Sequence, residues 1–161
     1  MRHKKEDIPN DVRAALLPPE RYTVSDWAEK NRILLSESAA EPGPWRNTRT
    51  PYLKGVMDAL SDPDIDKIVF RKPTQVGATE ALLNMIGWVV NNDPGPLLLV
   101  YPSVDLGRSI SAGRVQPMFA ACPSLARLVP NDRDKFALQE MVLPNMRIYV
   151  TGANSPANLA S

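Results

Sequence analysis

Between residues 67 and 119 the sequence twice sets a short apolar run ahead of a helix-like stretch, and this alternation restricts the fold more than any other feature. Lys67-Ile68-Val69-Phe70-Arg71 is β-branched and aromatic and reads as a buried strand. Thr79 to Asn91 reads as a helix, with Leu82, Leu83, Ile86, Val89 and Val90 on one side. Asn92-Asp93-Pro94-Gly95 is a turn signal. Leu97-Leu98-Leu99-Val100-Tyr101 is a second strand, and its unbroken apolarity predicts a parallel sheet covered on both faces. Ser103 can cap a further helix running to about Phe119, kinked near Pro117. Strand, helix, strand, helix is a βαβ unit, so the fold class is α/β.

The flanks are punctuated by proline, 16 of the 161 residues, which limits helix length and implies several loops. Residues 1–22 are polar and broken by Pro9, Pro18 and Pro19; they read as a partly mobile arm with at most one short helix around Val12–Leu17. Thr23 to Ile33 reads as a helix, with Thr23 and Asp26 as a weak capping box and Trp27 as its apolar anchor. Ser36 to Thr50 reads as a loop, with Trp45 packing onto the domain. Pro51 opens a helix through about Leu60, whose Leu53, Val56, Met57 and Leu60 recur at spacings of three and four. Ser124 to Val129 is one more helical piece. Two strand-like runs, Phe136–Leu143 and Arg147–Thr151, flank Pro144-Asn145 as a hairpin. Ser155-Pro156 signals a helix start, cut off at Ser161.

Composition removes several chemistries. Lys plus Arg is 19 and Asp plus Glu is 18, so the net charge is +1, and the chain is not a basic module whose whole body coats nucleic acid. The single cysteine, Cys122, precludes an intramolecular disulfide and a thiolate zinc cluster. It precedes Pro123 with no neighbouring His or charge to activate it, so a cysteine enzyme is discounted. The single histidine, His3, lies in the polar arm and argues against a Ser-His-Asp triad. No apolar run approaches the ~18 residues of a membrane span, and the start, Met1-Arg2-His3-Lys4-Lys5, lacks the apolar stretch of a secretory signal, so the chain reads as cytosolic.

The chemically informative stretch is Arg71-Lys72-Pro73-Thr74-Gln75-Val76-Gly77-Ala78-Thr79-Glu80, where the first strand feeds a helix. Amides at a helix start are unpaired and carry the positive end of the helix dipole, which favours an anion such as phosphate. Against the Walker A pattern G-x-x-x-x-G-K-[ST], Gly77 and Thr79 match, Lys72 stands where the first glycine would be, and Ala78 stands where the lysine would be. Lys72 could still swing an ammonium over the β,γ-phosphates, Gly77 could allow close backbone approach, and Thr79 could offer its hydroxyl to Mg²⁺. By spacing alone, the alternative is an ordinary strand–loop–helix connection whose Lys72 is merely solvated.

Several segments taken in order resemble the large terminase subunit of tailed bacteriophages, in the lambda-type (GpA-like) group. They are Trp27-Ala28-Glu29-Lys30, Pro42-Gly43-Pro44-Trp45, Thr50-Pro51-Tyr52, Ala59-Leu60-Ser61-Asp62-Pro63, Lys72 to Glu80, and Thr151 to Leu159. The likeness covers nearly everything from Thr23 onward, which makes 23–161 part of a terminase ATPase domain. It implies a P-loop NTPase-like βαβ core with a helical N-terminal segment, a C-terminal β-hairpin and an incomplete sheet. Such proteins are ATP-driven motors that translocate double-stranded phage DNA into a procapsid in the bacterial cytoplasm. They work with a small subunit and the portal, as oligomers in the full-length motor, and they carry an endonuclease. Their Walker A loop departs from the standard pattern in the same way, with lysine at the first position. The resemblance therefore implies ATP and Mg²⁺ as cofactors. It makes Lys72 the phosphate lysine, Gly77 the loop glycine and Thr79 the magnesium ligand, with Thr74, Gln75, Val76 and Ala78 completing the cradle. Tyr52 matches a tyrosine associated with adenine binding. Some relatives place an arginine inside the loop; Pro73, Thr74, Gln75 and Val76 offer none here, and Arg71 only flanks it.

Hydrolysis also needs a Walker B acid, an apolar strand ending in Asp-Glu, and no strand-like run here ends so. The expectation is thus an N-terminal motor fragment, a prophage remnant among its possible origins, that binds ATP without turning it over. The loss of neighbouring strands is expected to leave unpaired edges at 67–71 and 97–101 and a marginally stable fold. The rival reading is a non-enzymatic module contacting DNA or capsid, with the basic arm, Arg108, Arg114, Arg127 and Arg133 as its candidate contacts, although those arginines equally suit solvated helix faces.

Overall fold

A computed structural model describes residues 22–37 and 39–154. The proposed helix near 12–17, the basic start and the helix signal at Ser155-Pro156 lie outside them. Helix α1 spans Val24–Asn31, capped by the Thr23 side chain, which accepts from the Asp26 amide as the sequence predicts. Helix α2 spans Pro51–Asp58, with proline in its first turn, and tightens into a 3₁₀ turn at Ala59–Ser61. Helix α3 spans Ala78–Asn92. These three helices pack together around Trp27, Leu53, Met57, Leu83 and Ile86, all essentially inaccessible.

The helices are also tied by directed bonds. The Ser25 amide and hydroxyl donate to the two carboxylate oxygens of Asp58 (2.8 and 2.9 Å), which clamps α1 to α2. Trp27 lays its ring on α3, and its Nε1 donates to Asn91 Oδ1 at 2.8 Å. The approach is possible because residue 87 has no side chain: a Cβ there would sit 2.0 Å from the Trp27 ring.

The segment 36–50 is more ordered than the loop the sequence suggests. Ile33–Leu34 (β1) pairs antiparallel with Gly43–Pro44 (β2), and a 3₁₀ turn follows at Asn47–Arg49. Trp45 is buried, as expected, and donates to Asn47 Oδ1.

A three-stranded sheet has the order β3-β5-β4, with β3 at Leu97–Tyr101, β4 at Glu140–Leu143 and β5 at Met146–Gly152. β4 and β5 form the expected antiparallel hairpin, although Phe136 joins β4 only through an isolated bridge to Met141. β3 runs parallel to β5, Leu97 opposite Ile148 and Tyr101 opposite Gly152. The chain crosses between them through α4 (Val104–Ile110), a π-helical segment at Ser111–Val115, α5 (Gln116–Ala121) and α6 (Pro123–Ala126). Ser103 caps α4 by accepting from the Leu106 amide. The wide π turn ends just before Pro117, so the ring falls in the first turn of α5, where its missing N–H costs little. Phe119 and Phe136 meet edge to face, 5.3 Å between centroids, and fix the crossover to the segment before β4.

Three expectations fail. Residues 67–71 form no strand; every residue from 62 to 75 is exposed, Val69 at 79%. A strand exists only by pairing its backbone, and no strand among the described residues pairs with this run. The observed parallel pair is therefore 97–101 with 146–152, not 67–71 with 97–101. Second, β3 is covered on one face only, since Leu98 and Val100 are 48% and 47% exposed. Third, Leu82 and Leu60 point outward, and the inner face of α3 is instead Ala81, Leu83, Asn84, Ile86, Gly87 and Val90. The α/β class stands.

Two glycine-to-alanine exchanges probe the helix packing. Gly87→Ala drives a methyl into Trp27 and is expected to destabilise by about 1–3 kcal/mol or more. Gly55→Ala, in α2 with open space around it, is expected to stabilise by about 0.5–1 kcal/mol. Urea denaturation of both variants checks this; equal effects at the two positions would mean that Trp27 does not rest on α3.

Candidate functional site

The loop from Lys72 to Gly77 leads straight into α3. Gln75 and Gly77 both have left-handed backbone conformations, φ 59° and 75°. Gly77 is the N-cap of α3, and a Cβ added there would also press to 3.3 Å from Leu53 Cδ1. No side chain caps the first turn of α3. The loop is braced by the first turn of α2: Leu53 lies under Gly77, and the Tyr52 hydroxyl donates to the Val76 carbonyl at 3.3 Å.

A cleft of about 1390 Å³ opens over this loop. It is lined by Lys72, Gln75, Val76, Gly77, Ala78, Thr79 and Tyr52, so the structure brings together every sequence-predicted site residue but one. Thr74 is exposed and does not line it, nor does Arg71. Lys72 is exposed; its Nζ lies 3.4 Å from the Pro73 carbonyl and has no ion-pair partner among the described residues. The opposite wall comes from the segment around β2, including Trp45, Arg46 and Arg49. Arg49 is paired with Glu41 at the exposed rim.

At the base of the cleft, Glu80 in the first turn of α3 accepts from two arginines. Arg32 Nη2 lies 2.6 Å from Glu80 Oε2, and Arg114 Nη1 lies 3.0 Å from Glu80 Oε1. Arg32 is 3% exposed, so its charge requires this carboxylate. Its Nε has no partner among the described residues. The acid also suits the positive end of the helix dipole.

Glu80, Arg32 and Arg114 were not legible as a unit. The acid two residues into a helix gave a weak signal, and nothing in the sequence distinguishes Arg32 from a solvated helix-end arginine. Arg114 is neither a solvated face charge nor a bare contact residue, because it binds Glu80. Arg108, by contrast, is half exposed and bonds Gln139 at the surface (2.9 and 2.6 Å). Cys122 is fully buried, and its sulfur accepts from the Ile33 amide.

A family profile described as phage terminase large subunit gpA, ATPase domain, matches residues 39–161, a span that holds the loop, the cleft and the sheet. The chain belongs to this family. It is also similar to the "Terminase, large subunit" of Escherichia phage lambda, 27% identical over 116 residues. That match covers 72% of this chain and 18% of the lambda protein, so the chain spans a minor part of its relative's length. No solved structure matches it. No helix among the described residues is long and apolar enough to cross a membrane.

Removing the half-buried acid tests the base of the cleft. Glu80→Ala leaves the Arg32 charge buried and unpaired and is expected to destabilise by about 3–5 kcal/mol. Arg49→Ala, at the exposed pair with Glu41, is expected to change stability by less than about 1 kcal/mol. Denaturant titration compares them, and a mild Glu80→Ala would show that Arg32 has another anion.

Proposed function

We propose that this chain binds the triphosphate of ATP in the cleft over residues 72–79, as the nucleotide-binding part of a terminase large subunit. The observation that carries the reading is the helix start itself. The first-turn amides of α3 are uncapped by any side chain, follow a left-handed glycine, and open into the same cleft as Lys72, which has no ion-pair partner among the described residues. Two left-handed residues within three positions turn the chain sharply where backbone amides would cradle an anion.

The residues present fit this ligand. Lys72 would balance phosphate charge from the loop mouth, in place of a lysine at 78. Gly77 lets the backbone approach, and Gln75, Val76 and Ala78 complete the wall. Thr79, exposed in the first turn of α3, would hold a magnesium ion that arrives on the phosphates and supplies charge neutralisation between them. Among the described residues no group of three acids, histidines or cysteines could hold the metal in advance. Tyr52, 59% exposed and tethered through its hydroxyl to Val76, would present a face on which a purine can stack.

Turnover is a separate matter. Among the described residues the cleft's carboxylates are Glu41 and Glu80; Glu80 is held by two arginines and Glu41 lies at the exposed rim with Arg49, and neither is assigned as the base for an attacking water. The chain alone would therefore bind ATP without appreciable hydrolysis. In its family context it would serve a DNA-packaging motor acting on double-stranded phage DNA with a small subunit and a portal.

Thermal unfolding tests the reading. Mg-ATP at about ten times its Kd adds about 1.4 kcal/mol, which raises Tm by about 3–6 °C for a chain of this size. Lys72→Ala is expected to remove most of that shift at the same nucleotide concentration. A wild-type melting curve indifferent to millimolar Mg-ATP would overturn the proposal.

A further inference from the structure

Tyr52 reaches the loop from another helix. It stands in the first turn of α2, and its hydroxyl donates to the carbonyl of Val76 at 3.3 Å. That carbonyl belongs to the peptide entering Gly77, the N-cap of α3. A peptide unit is planar and trans, so its C=O and N–H point in opposite directions. By holding the Val76 carbonyl, Tyr52 therefore turns the Gly77 amide away from itself. The local backbone is one that needs such a hold. Glycine takes either sign of φ with little steric cost, so the 76–77 peptide can turn over cheaply about Gly77. Gln75, one residue before that carbonyl, keeps a φ of 59°, which a residue of its type seldom adopts. The neighbouring Leu53 lies under Gly77, so two successive residues of α2 meet two successive residues of the loop.

We propose, resting on the nucleotide-binding reading above, that Tyr52 is a positioning residue for the phosphates: its hydroxyl sets the peptide between Val76 and Gly77 so that the amide, not the carbonyl, is offered to the anion. The two parts of the side chain then act separately. The ring face serves a purine, and the hydroxyl serves the polyphosphate whatever base it carries. Without the hydroxyl the peptide is free to turn over. A turned peptide removes one donor from the phosphates and sets an acceptor against them, and two acceptors repel. The tie also relates the loop to α2, because Pro51 fixes the helix start that carries Tyr52.

Calorimetric titration of the full chain with Mg-ATP and with magnesium tripolyphosphate, which has no base, separates ring from hydroxyl. Tyr52→Phe keeps the ring and is expected to weaken both ligands by the same factor, about fivefold, the worth of one hydrogen bond between neutral groups. Tyr52→Leu is expected to weaken tripolyphosphate no further and Mg-ATP more. The side chain is 59% exposed, so the unfolding curve of Tyr52→Phe is expected to match the wild type; a merely structural tie would move that curve and leave the affinities unchanged. Affinities are read at a temperature where every variant is folded. A Tyr52→Phe protein that binds tripolyphosphate as the wild type does overturns the assignment and leaves the binding site standing. One that loses affinity for Mg-ATP alone overturns it too, and places the hydroxyl on the nucleoside instead. A wild type that takes Mg-ATP but no tripolyphosphate also overturns it, because the loop then contributes too little to need setting. A wild type that binds neither ligand overturns both this assignment and the nucleotide-binding reading.

Discussion

Glu80 is where three parts of the molecule meet. Its carboxylate stands in the first turn of α3, one of its arginines follows the end of α1, and the other belongs to the long crossover between β3 and β4. The arrangement is anchored by necessity on one side. A guanidinium with 3% exposure cannot stay charged and unpaired, so wherever Arg32 is buried a carboxylate must come with it. That fixes the beginning of α3 relative to α1, and the loop that precedes α3 inherits the constraint. The clamp of Ser25 on Asp58 does the same for α1 and α2. The cleft is thus framed by helices whose starts and ends are pinned by ionic and charge-assisted bonds, with the apolar contacts of Trp27 and Leu53 behind them.

The sheet side is less complete. β5 is paired on both edges and largely buried, while β3 pairs, among the described residues, only with β5 and turns Leu98 and Val100 outward. The apolar run Ile68-Val69-Phe70 is also exposed. Leaving these five sizeable apolar side chains accessible forgoes stabilisation of about 25 cal/mol per Å² of apolar surface that a covering element would bring. The same surfaces give a β-edge that can pair with another chain. In physical terms the cleft wall is well determined, and the sheet is left with an uncovered face at β3.

What the sequence disclosed follows from how local each signal is. The Thr23 and Ser103 caps, the Pro51 helix start, the turn at Pro144-Asn145 and the anchor Trp27 all rest on interactions within a few residues or on one large side chain, and all are present. Six of the seven loop residues assigned to the site line the cleft for the same reason: a tight turn into a helix start places its own residues together, and Tyr52 joins them from the first turn of α2. The strand at 67–71 failed because β-propensity measures fit to a neighbour, and the neighbour is not a property of the run itself. Two-sided burial of β3 failed likewise; Leu97 to Tyr101 are apolar throughout, but apolarity does not state what will cover them. The ionic base of the cleft was the least visible part. Arg32, Glu80 and Arg114 are separated by 48 and 34 residues, and no local pattern links them.

The loop's departure from the usual phosphate-binding pattern gains a structural context from α2. Pro51 sets the start of that helix, which places Tyr52 and Leu53 side by side in its first turn. Leu53 then closes the space beneath Gly77, while Tyr52 reaches the carbonyl of Val76. The inner side of the loop is therefore occupied at positions 76 and 77 by apolar and hydrogen-bonded contacts, and the half-buried Ala78 fits the same surroundings. Its outer side, from Lys72 to Gln75, is exposed, and that is where a long cationic side chain can lie without burying its charge. If the loop binds phosphate as proposed, a lysine at the loop mouth and a small residue at 78 are one arrangement: the cation would act from the solvated end of the loop rather than the braced end, and the tyrosine that braces the loop would offer its exposed ring to the ligand.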